Sequence, residues 1–231
     1  MKISIIIPAF NEENTIIEIL ERVNNQNNKD KDYELEIIVV DDSSTDSTKK
    51  LIENNSNLYS KFISLNKNLG KGGAVKEGLK VANGSYVLFQ DADLEYNPEE
   101  YSKIFKMITD FNADVIIGSR FLSPEFTRVH YFFHKLGNRF ITGLFNFIYN
   151  TTFTDIYSCY LCFRKELVDP LKLKSNGWSQ QAEILATSVN KSKIFYEVPI
   201  SYSGRTFDEG KKIKARHTFS VIYMIIKKRL F

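Results

Sequence analysis

Short apolar runs alternate along this chain with stretches in which apolar residues recur every three or four positions. Residues 2–7 form a nearly continuous apolar run closed by Pro8, the pattern of a strand buried on both faces. Asn11 is placed to cap a following helix, with Glu12 and Glu13 in its first turn and Ile16, Ile17, Leu20 and Val23 at helical spacing. A polar loop over 24–32 leads to a second apolar run over 35–40, then to Asp41, Asp42, Ser43 and Ser44, and to a helix starting near Asp46. A third strand over 61–65, a helix over 70–82 opened by a glycine-rich turn, and a fourth strand over 86–90 complete a β-α-β-α-β-α-β order. Beyond Pro98 the pattern predicts a helix to about residue 111, a strand over 114–117 and a turn at Gly118-Ser119-Arg120.

This alternation predicts an α/β fold with a mostly parallel central sheet flanked by helices and joined by right-handed crossovers. Such sheets bind ligands beyond the carboxyl ends of their strands. Residues 8–12, 41–44, 66–73 and 91–95 are therefore expected to converge in one cleft, bringing their acidic positions and a glycine loop together.

The stretch 131–149 has a different character, with large apolar residues leaving few polar positions and with His134, Lys135, Asn138 and Arg139 near its start. Those charges make it a poor bilayer-spanning segment; a helix lying in a membrane interface and a core helix under the sheet both fit the pattern. A late strand over 195–202 and a terminal helix with its apolar part over 219–226 follow.

Composition narrows the function classes. With 43% hydrophobic and 26% charged residues among 231, the chain can bury a substantial core, and a single domain is expected over 1–231, with a first half over 1–120 and a second half with amphipathic helices over 121–231. The net charge of +3, from 31 basic and 28 acidic residues, gives no reason to expect nucleic acid as a partner. The basic residues are unevenly placed, however. Lys211, Lys212, Lys214, Arg216, Lys227, Lys228 and Arg229 follow one another with no acidic residue between them, a cluster suited to phosphate groups, an anionic lipid surface or simply a solvated helix face. Cys159 and Cys162 form a lone C-x-x-C without the further ligands a zinc site needs. The amino terminus runs straight into a strand pattern, so no leader is expected, and no run is long and apolar enough to span a bilayer. The expected location is the cytoplasm, peripheral on the cytoplasmic face of a membrane.

The sharpest chemical signal is Asp91-Ala92-Asp93-Leu94-Glu95 after the fourth strand. Carboxylates two residues apart on extended backbone point to the same side and can share one hard divalent cation, which in turn can bridge a diphosphate. Asp41-Asp42 stands at a βα turn, where an acidic side chain reaches ribose hydroxyls or a base edge, and two carboxylates exceed what a helix cap requires. The turn Asn68-Leu69-Gly70-Lys71-Gly72-Gly73 lacks the P-loop spacing and reads as a nucleotide-contacting turn.

The segments Ile7-Pro8-Ala9-Phe10-Asn11-Glu12, Val40-Asp41-Asp42-Ser43-Ser44-Thr45-Asp46, Asn68-Leu69-Gly70-Lys71-Gly72, Asp91-Ala92-Asp93-Leu94-Glu95 and Gly118-Ser119-Arg120, in this order, resemble glycosyltransferase family 2, most closely its dolichyl-phosphate mannose synthase-like branch. The resemblance implies a GT-A fold and an inverting transfer from a nucleoside-diphosphate sugar, UDP- or GDP-linked. It implies that Pro8, Phe10, Glu12, Val40, Asp42, Lys71, Asp91 and Ala92 contact the nucleotide and that Asp91, Asp93 and Glu95 hold Mg2+ or Mn2+. In the second half, Thr154-Asp155-Ile156-Tyr157-Ser158-Cys159 is similar to the branch's Thr-Asp-Pro-x-Ser-Gly, with Ile156 and Cys159 departing from it, and Arg205 to Lys212 resembles its Arg-x-x-x-Glu-Gly-Lys stretch. Asp93 and Arg205 are the expected catalytic pair, and Arg120, Arg139, Ser158 and Lys211 the expected acceptor contacts, arginine being suited to phosphate by its planar fork of donors.

The acceptor implied by this branch is a polyprenyl phosphate, dolichyl or undecaprenyl, taken at the membrane surface, with room for a membrane-embedded partner subunit. A phosphate acceptor is already ionised and needs no base. The Gln-x-x-Arg-Trp motif common among hydroxyl-directed members is absent. Two alternatives stand beside this reading: transfer to a glycan hydroxyl, with Glu183 near where a base could be built, and a sugar-nucleotide sensor without turnover.

Overall fold

The computed structural model describes residues 1–28, 32–123, 128, 132–204 and 217–230. Seven strands are joined into one sheet: β1 (Lys2–Ala9), β2 (Glu34–Asp41), β3 (Lys61–Ser64), β4 (Tyr86–Phe89), β5 (Val115–Ser119), β6 (Leu161–Arg164) and β7 (Phe195–Pro199). Seven helices flank it: α1 (Ile16–Asn24), α2 (Thr48–Asn54), α3 (Lys71–Val81), α4 (Tyr101–Phe111), α5 (Phe132–Tyr149), α6 (Gln180–Val189) and α7 (His217–Leu230). The strand order is β3-β2-β1-β4-β6-β5-β7. All neighbouring pairs are parallel except those made by β6, which runs antiparallel between β4 and β5. The α/β class and mostly parallel sheet read from the sequence are therefore those of the folded chain.

The core lies where β1, β2 and β4 are apolar on both faces: Ile3, Ile5, Ile6, Ile7, Ile37, Ile38, Val39, Val40, Val87 and Leu88 are all buried. Burial on both sides explains why these strands read as continuous apolar runs rather than alternating ones.

Pro8 does not end β1, contrary to the sequence expectation. The strand continues to Ala9, with Pro8 in register with Val40. Ile6 turns its carbonyl to the N–H of Gln90 on the β4 side, and by the two-residue period of a strand Pro8 faces the same way. Pairing with β4 stops at Ile6 and Phe89, so the donor that proline lacks has no ladder partner to lose.

Asn11 does not cap α1 either. The helix opens at Ile16, and Asn11 sits at φ 52° with its side-chain oxygen accepting from Thr45 N–H at 2.8 Å. Glu12 N–H donates to Thr48 Oγ1 at 2.8 Å, and Glu13 accepts from Ser47 N–H at 2.9 Å. These polar residues fasten the loop after β1 to the loop after β2 instead of starting a helix.

The aromatic stretch is a helix with two apolar faces. Ile141, Phe145 and Tyr149, spaced by four, are buried, and Tyr149 donates its hydroxyl to the Ile225 carbonyl of α7 at 2.9 Å. Phe132, Phe133, Leu136, Phe140 (62% exposed) and Phe147 (87% exposed) face outward. The core reading thus describes one side of α5, and the other side is exposed. Along α7 the same division recurs, with Val221, Met224 and Ile225 buried and Phe219, Tyr223 and Leu230 exposed. Among the described residues, no helix is long and apolar enough to cross a membrane.

Candidate active site

Because β1 to β5 and β7 share one direction, their carboxyl ends open on the same edge of the sheet, together with the amino end of the reversed strand β6. A cavity of about 340 Å3 lies there. From the first half of the chain it is lined by Pro8, Phe10, Glu12, Asp42, Asn68, Gly70, Lys71, Asp91, Ala92, Asp93 and Glu95, so the four segments expected to converge do so. From the second half come Arg120, Tyr157, Cys159, Trp178, Gln180, Gln181 and Tyr202.

Asp42 is 3% exposed and accepts from Leu69 N–H at 2.7 Å, which ties the loop after β2 to the glycine turn. Burial pushes its carboxyl above the ordinary value against the pull of the Leu69 and Gly70 amides. Asp41 does not line the cavity; one of its oxygens accepts from Ser44 N–H at 3.2 Å. The glycines serve packing as much as ligand approach. Gly70 adopts φ 79°, and a Cβ on Gly72 would meet the Asn176 backbone at 2.7 Å, so the 176 segment presses on the start of α3. Gly73 N–H donates to Asn176 O at 3.1 Å across that contact.

Lys71, the first residue of α3, places its ammonium 2.5 Å from Asp91 Oδ1 and 5.6 Å from the centre of the Trp178 ring. Burial works to lower its pKa, but the Asp91 carboxylate, with Asp93 beyond, leaves it above the ordinary lysine value, so it is a fixed positive charge at neutral pH. Asp93 Oδ1 accepts from Glu95 N–H at 3.2 Å over a turn in which Leu94 takes φ 62°. Glu95 accepts the Tyr202 hydroxyl at 2.7 Å. Cys159 lies against the same carboxylates; burial and then Asp91 raise its thiol well above the usual range, which keeps it protonated, and both cysteines are free.

The donor set suits a hard divalent ion. Asp91 and Asp93 offer carboxylate oxygens from a single turn at the cavity wall, and among the described residues no three acidic, histidine or cysteine side chains form a closed cage. Magnesium and manganese accept such a set, because they bind through one or two carboxylates and complete their shells with water and substrate phosphates.

Arg120 is pinned. Its guanidinium meets Asp155, which is fully buried, through Nε at 2.7 Å and Nη2 at 2.9 Å, and lies 5.0 Å from the Tyr202 ring. Asn138 of α5 also donates to Asp155 at 3.1 Å, and Ser119 and Thr154 share a hydrogen bond of 2.6 Å. The Gly-Ser-Arg turn and the Thr-Asp segment are thus two halves of one construction.

Four expected site residues stand elsewhere. Val40 is packed in the sheet core with no exposure. Arg139 lies on the exposed face of α5, and Ser158 is fully buried, its carbonyl accepting from Gln181 Nε2; neither lines the cavity. Glu183 also faces away, receiving the N–H groups of Lys174 and Ser175 at 2.8 to 3.0 Å and the Lys228 ammonium at 2.9 Å. Those partners make it the tie between α6, α7 and the 174–175 segment. Arg205 and Lys211 lie outside the described residues. Conversely, Tyr96, Tyr157, Trp178 and Gln180 line the cavity although no local sequence pattern marks them.

The family 2 model matches residues 4–171 of this sequence. The chain belongs to glycosyl transferase family 2. This family 2 chain is 31% identical over 233 residues to a dolichol-phosphate mannosyltransferase of Pyrococcus furiosus, an alignment covering 98% of this chain and 64% of that protein. It is 28% identical over 214 residues to an undecaprenyl-phosphate 4-deoxy-4-formamido-L-arabinose transferase of Proteus mirabilis, covering 91% of this chain and 62% of the relative. The family 2 chain thus spans less than two thirds of the length of either relative. Among solved structures, glucosyl-3-phosphoglycerate synthase of Mycobacterium tuberculosis, in complex with Mn2+, uridine diphosphate and glucosyl-3-phosphoglycerate, superposes with a TM-score of 0.72 at 18% identity, covering 100% of this chain and 80% of that one. That likeness establishes the GT-A fold.

Proposed function

We propose that this chain transfers a sugar from a nucleoside-diphosphate sugar to a polyprenyl phosphate, with inversion, at a membrane surface. The observation that carries the reading is the meeting of Asp42, Lys71, Asp91 and Asp93 in one cavity that the ion-paired Arg120 also lines. The names of the two relatives, both polyprenyl-phosphate transferases, support the acceptor class, and the Mn2+ and uridine diphosphate bound by the structural neighbour support the metal and donor classes.

In this reading Pro8, Phe10 and Asp42 hold the nucleoside. Asp91 and Asp93 hold Mg2+ or Mn2+, which when bound stabilises the charge of the departing diphosphate as a Lewis acid. Lys71 keeps Asp91 in place and adds a positive charge beside the donor phosphates. Arg120, locked by Asp155 into one orientation, presents a cation to the acceptor phosphate, a task shared with Arg205 and Lys211. The acceptor needs no base, and Glu183 is engaged away from the cavity. The exposed aromatic faces of α5 and α7, with Lys135, Arg139, Lys227 and Arg229 and without an acidic residue in either helix, supply the surface for lipid.

Nucleoside-diphosphate release tests this reading. A panel of UDP- and GDP-sugars is incubated with Mg2+ or Mn2+, with and without a short polyprenyl phosphate. The expected result is release that requires both lipid phosphate and metal and is lost in Asp93→Ala, with an inverted anomeric centre in the product. Release indifferent to the lipid phosphate would overturn the acceptor assignment.

A further inference from the structure

The turn that carries Asp91 and Asp93 is not one the backbone adopts unaided. Leu94 takes φ 62°, in the left-handed region that disfavours any side chain beyond glycine, so bonds from elsewhere have to hold the turn in place. Within the turn, Asp93 Oδ1 accepts from Glu95 N–H at 3.2 Å. From outside it, Glu95 is held twice by the segment that follows β7. Its carboxylate accepts the Tyr202 hydroxyl at 2.7 Å, and its carbonyl accepts from Ser203 N–H at 3.1 Å.

Tyr202 is itself closely confined. It is 6% exposed, with its ring centred 5.2 Å from the Tyr96 ring and 5.0 Å from the Arg120 guanidinium. Its carbonyl accepts from Arg128 N–H at 3.2 Å, and the preceding Ser201 N–H donates to the Glu100 carboxylate at 2.9 Å. The backbone of Gly204 folds over the ring: a Cβ there would stand 2.4 Å from Tyr202 Cε1, an approach that requires glycine. A hydroxyl on a side chain so placed has little freedom left to lose when it bonds Glu95, which makes it an anchor for the turn.

We infer that Tyr202 is a positioning residue for the divalent ion, acting through Glu95: its hydroxyl fixes the Glu95 carboxylate, and Glu95 holds the turn in the shape that sets Asp91 beside Asp93. This rests on the proposed function, in which those two carboxylates take the ion. Groups that hold metal ligands in place are felt in metal affinity, commonly by about tenfold or more when one is removed.

The electron paramagnetic resonance signal of free Mn2+ reads ion binding without turnover. Mn2+ is titrated, with UDP or GDP present, into the unaltered chain, Tyr202→Phe, Glu95→Ala and the double variant, and thermal unfolding checks that each is folded. Phenylalanine keeps the ring against Arg120 and Tyr96 and leaves the Ser203 bond in place, so the hydroxyl alone is lost. Tyr202→Phe is expected to bind Mn2+ about tenfold more weakly, and the double variant no more weakly than Glu95→Ala, because the hydroxyl then has nothing to act through. Unchanged affinity in Tyr202→Phe overturns the inference, as do losses that add in the double variant, which would mark a packing role independent of Glu95. Should Tyr202→Phe fail to fold, Glu95→Gln, whose amide oxygen still accepts the hydroxyl, takes its place: affinity kept there but lost in Glu95→Ala supports the inference, and equal loss overturns it. If the unaltered chain binds no Mn2+ with either nucleotide, the metal-dependent reading itself falls and this inference with it.

Discussion

Arg120 and Asp155, thirty-five positions apart, are joined by two parallel hydrogen bonds of 2.7 and 2.9 Å, with the carboxylate fully buried. The guanidinium holds the cavity wall and the carboxylate holds the guanidinium. Removing one partner leaves the other as an uncompensated charge in a poorly solvated place. Asp155→Ala is therefore expected to lower stability by about 3 kcal/mol, while Arg120→Met combined with Asp155→Ala recovers part of that loss. Urea unfolding of the unaltered chain and the two variants measures this, and a single variant no weaker than the double one would show that the pair is not what matters.

Glu183 and Lys228 form a second ion pair around a buried carboxylate, 2.9 Å apart, and tie the terminal helix to the helix that bears Gln180 and Gln181. Glu183→Gln is expected to reduce stability by about 2 kcal/mol or more and to speed amide exchange along α7, while the pH profile of transfer keeps its shape. A displaced acidic limb in that profile would return Glu183 to the role of base.

Acid sensitivity has an identifiable source at the other end of the sheet. Glu36 is buried, which by itself raises its pKa, but Lys61, Ser4 and the Asn83 amide together bring it down from 4.5 to about 2. A carboxyl with a depressed folded pKa stabilises the protein above its unfolded pKa and ceases to as pH falls through the folded one. Relative to Glu36→Gln, the chain should hold an advantage of about 3 kcal/mol at pH 6 that shrinks from pH 4.5 downward and is gone near pH 2. Chemical denaturation across that range would reveal a constant gap if the argument is wrong.

The outward aromatic face of α5 gives a prediction about lipid. Phe140→Ser and Phe147→Ser alter side chains that are 62% and 87% exposed, so stability should shift by no more than about 0.5 kcal/mol. Binding to vesicles of mixed neutral and anionic phospholipid should nevertheless weaken by roughly tenfold or more for each, as a phenyl group no longer enters the interface. Sedimentation with vesicles that is the same for all three proteins would remove the membrane surface from the proposed function.

Much of the fold is legible in the sequence because its signals are local. Strands β1 to β4 announce themselves as apolar runs, and helices α1, α3 and α4 as three-to-four-residue periodicities, since each pattern repeats within one element. Strand β6 is not, because Leu161-Cys162-Phe163 is too short for any period and nothing in it encodes an antiparallel direction. Its placement between β4 and β5 is what brings Tyr157 and Cys159 to the cavity. Helix α6 escapes sequence reading for a related reason: buried at nine of its ten positions, it shows no polar face for a periodicity to reveal.

The sequence by itself determined that acidic pairs and a glycine turn follow successive parallel strands, and that rule is enough to place Asp42, Lys71, Asp91 and Asp93 in one cleft. Only the tertiary structure decided which charges face that cleft and which are consumed in holding it. Arg120 belongs to Asp155 and Glu183 to Lys228. The reason is physical: hydrophobic periodicity is written within a dozen residues, whereas the partner of a buried polar group depends on how distant segments pack, and packing sets both its burial and its distance.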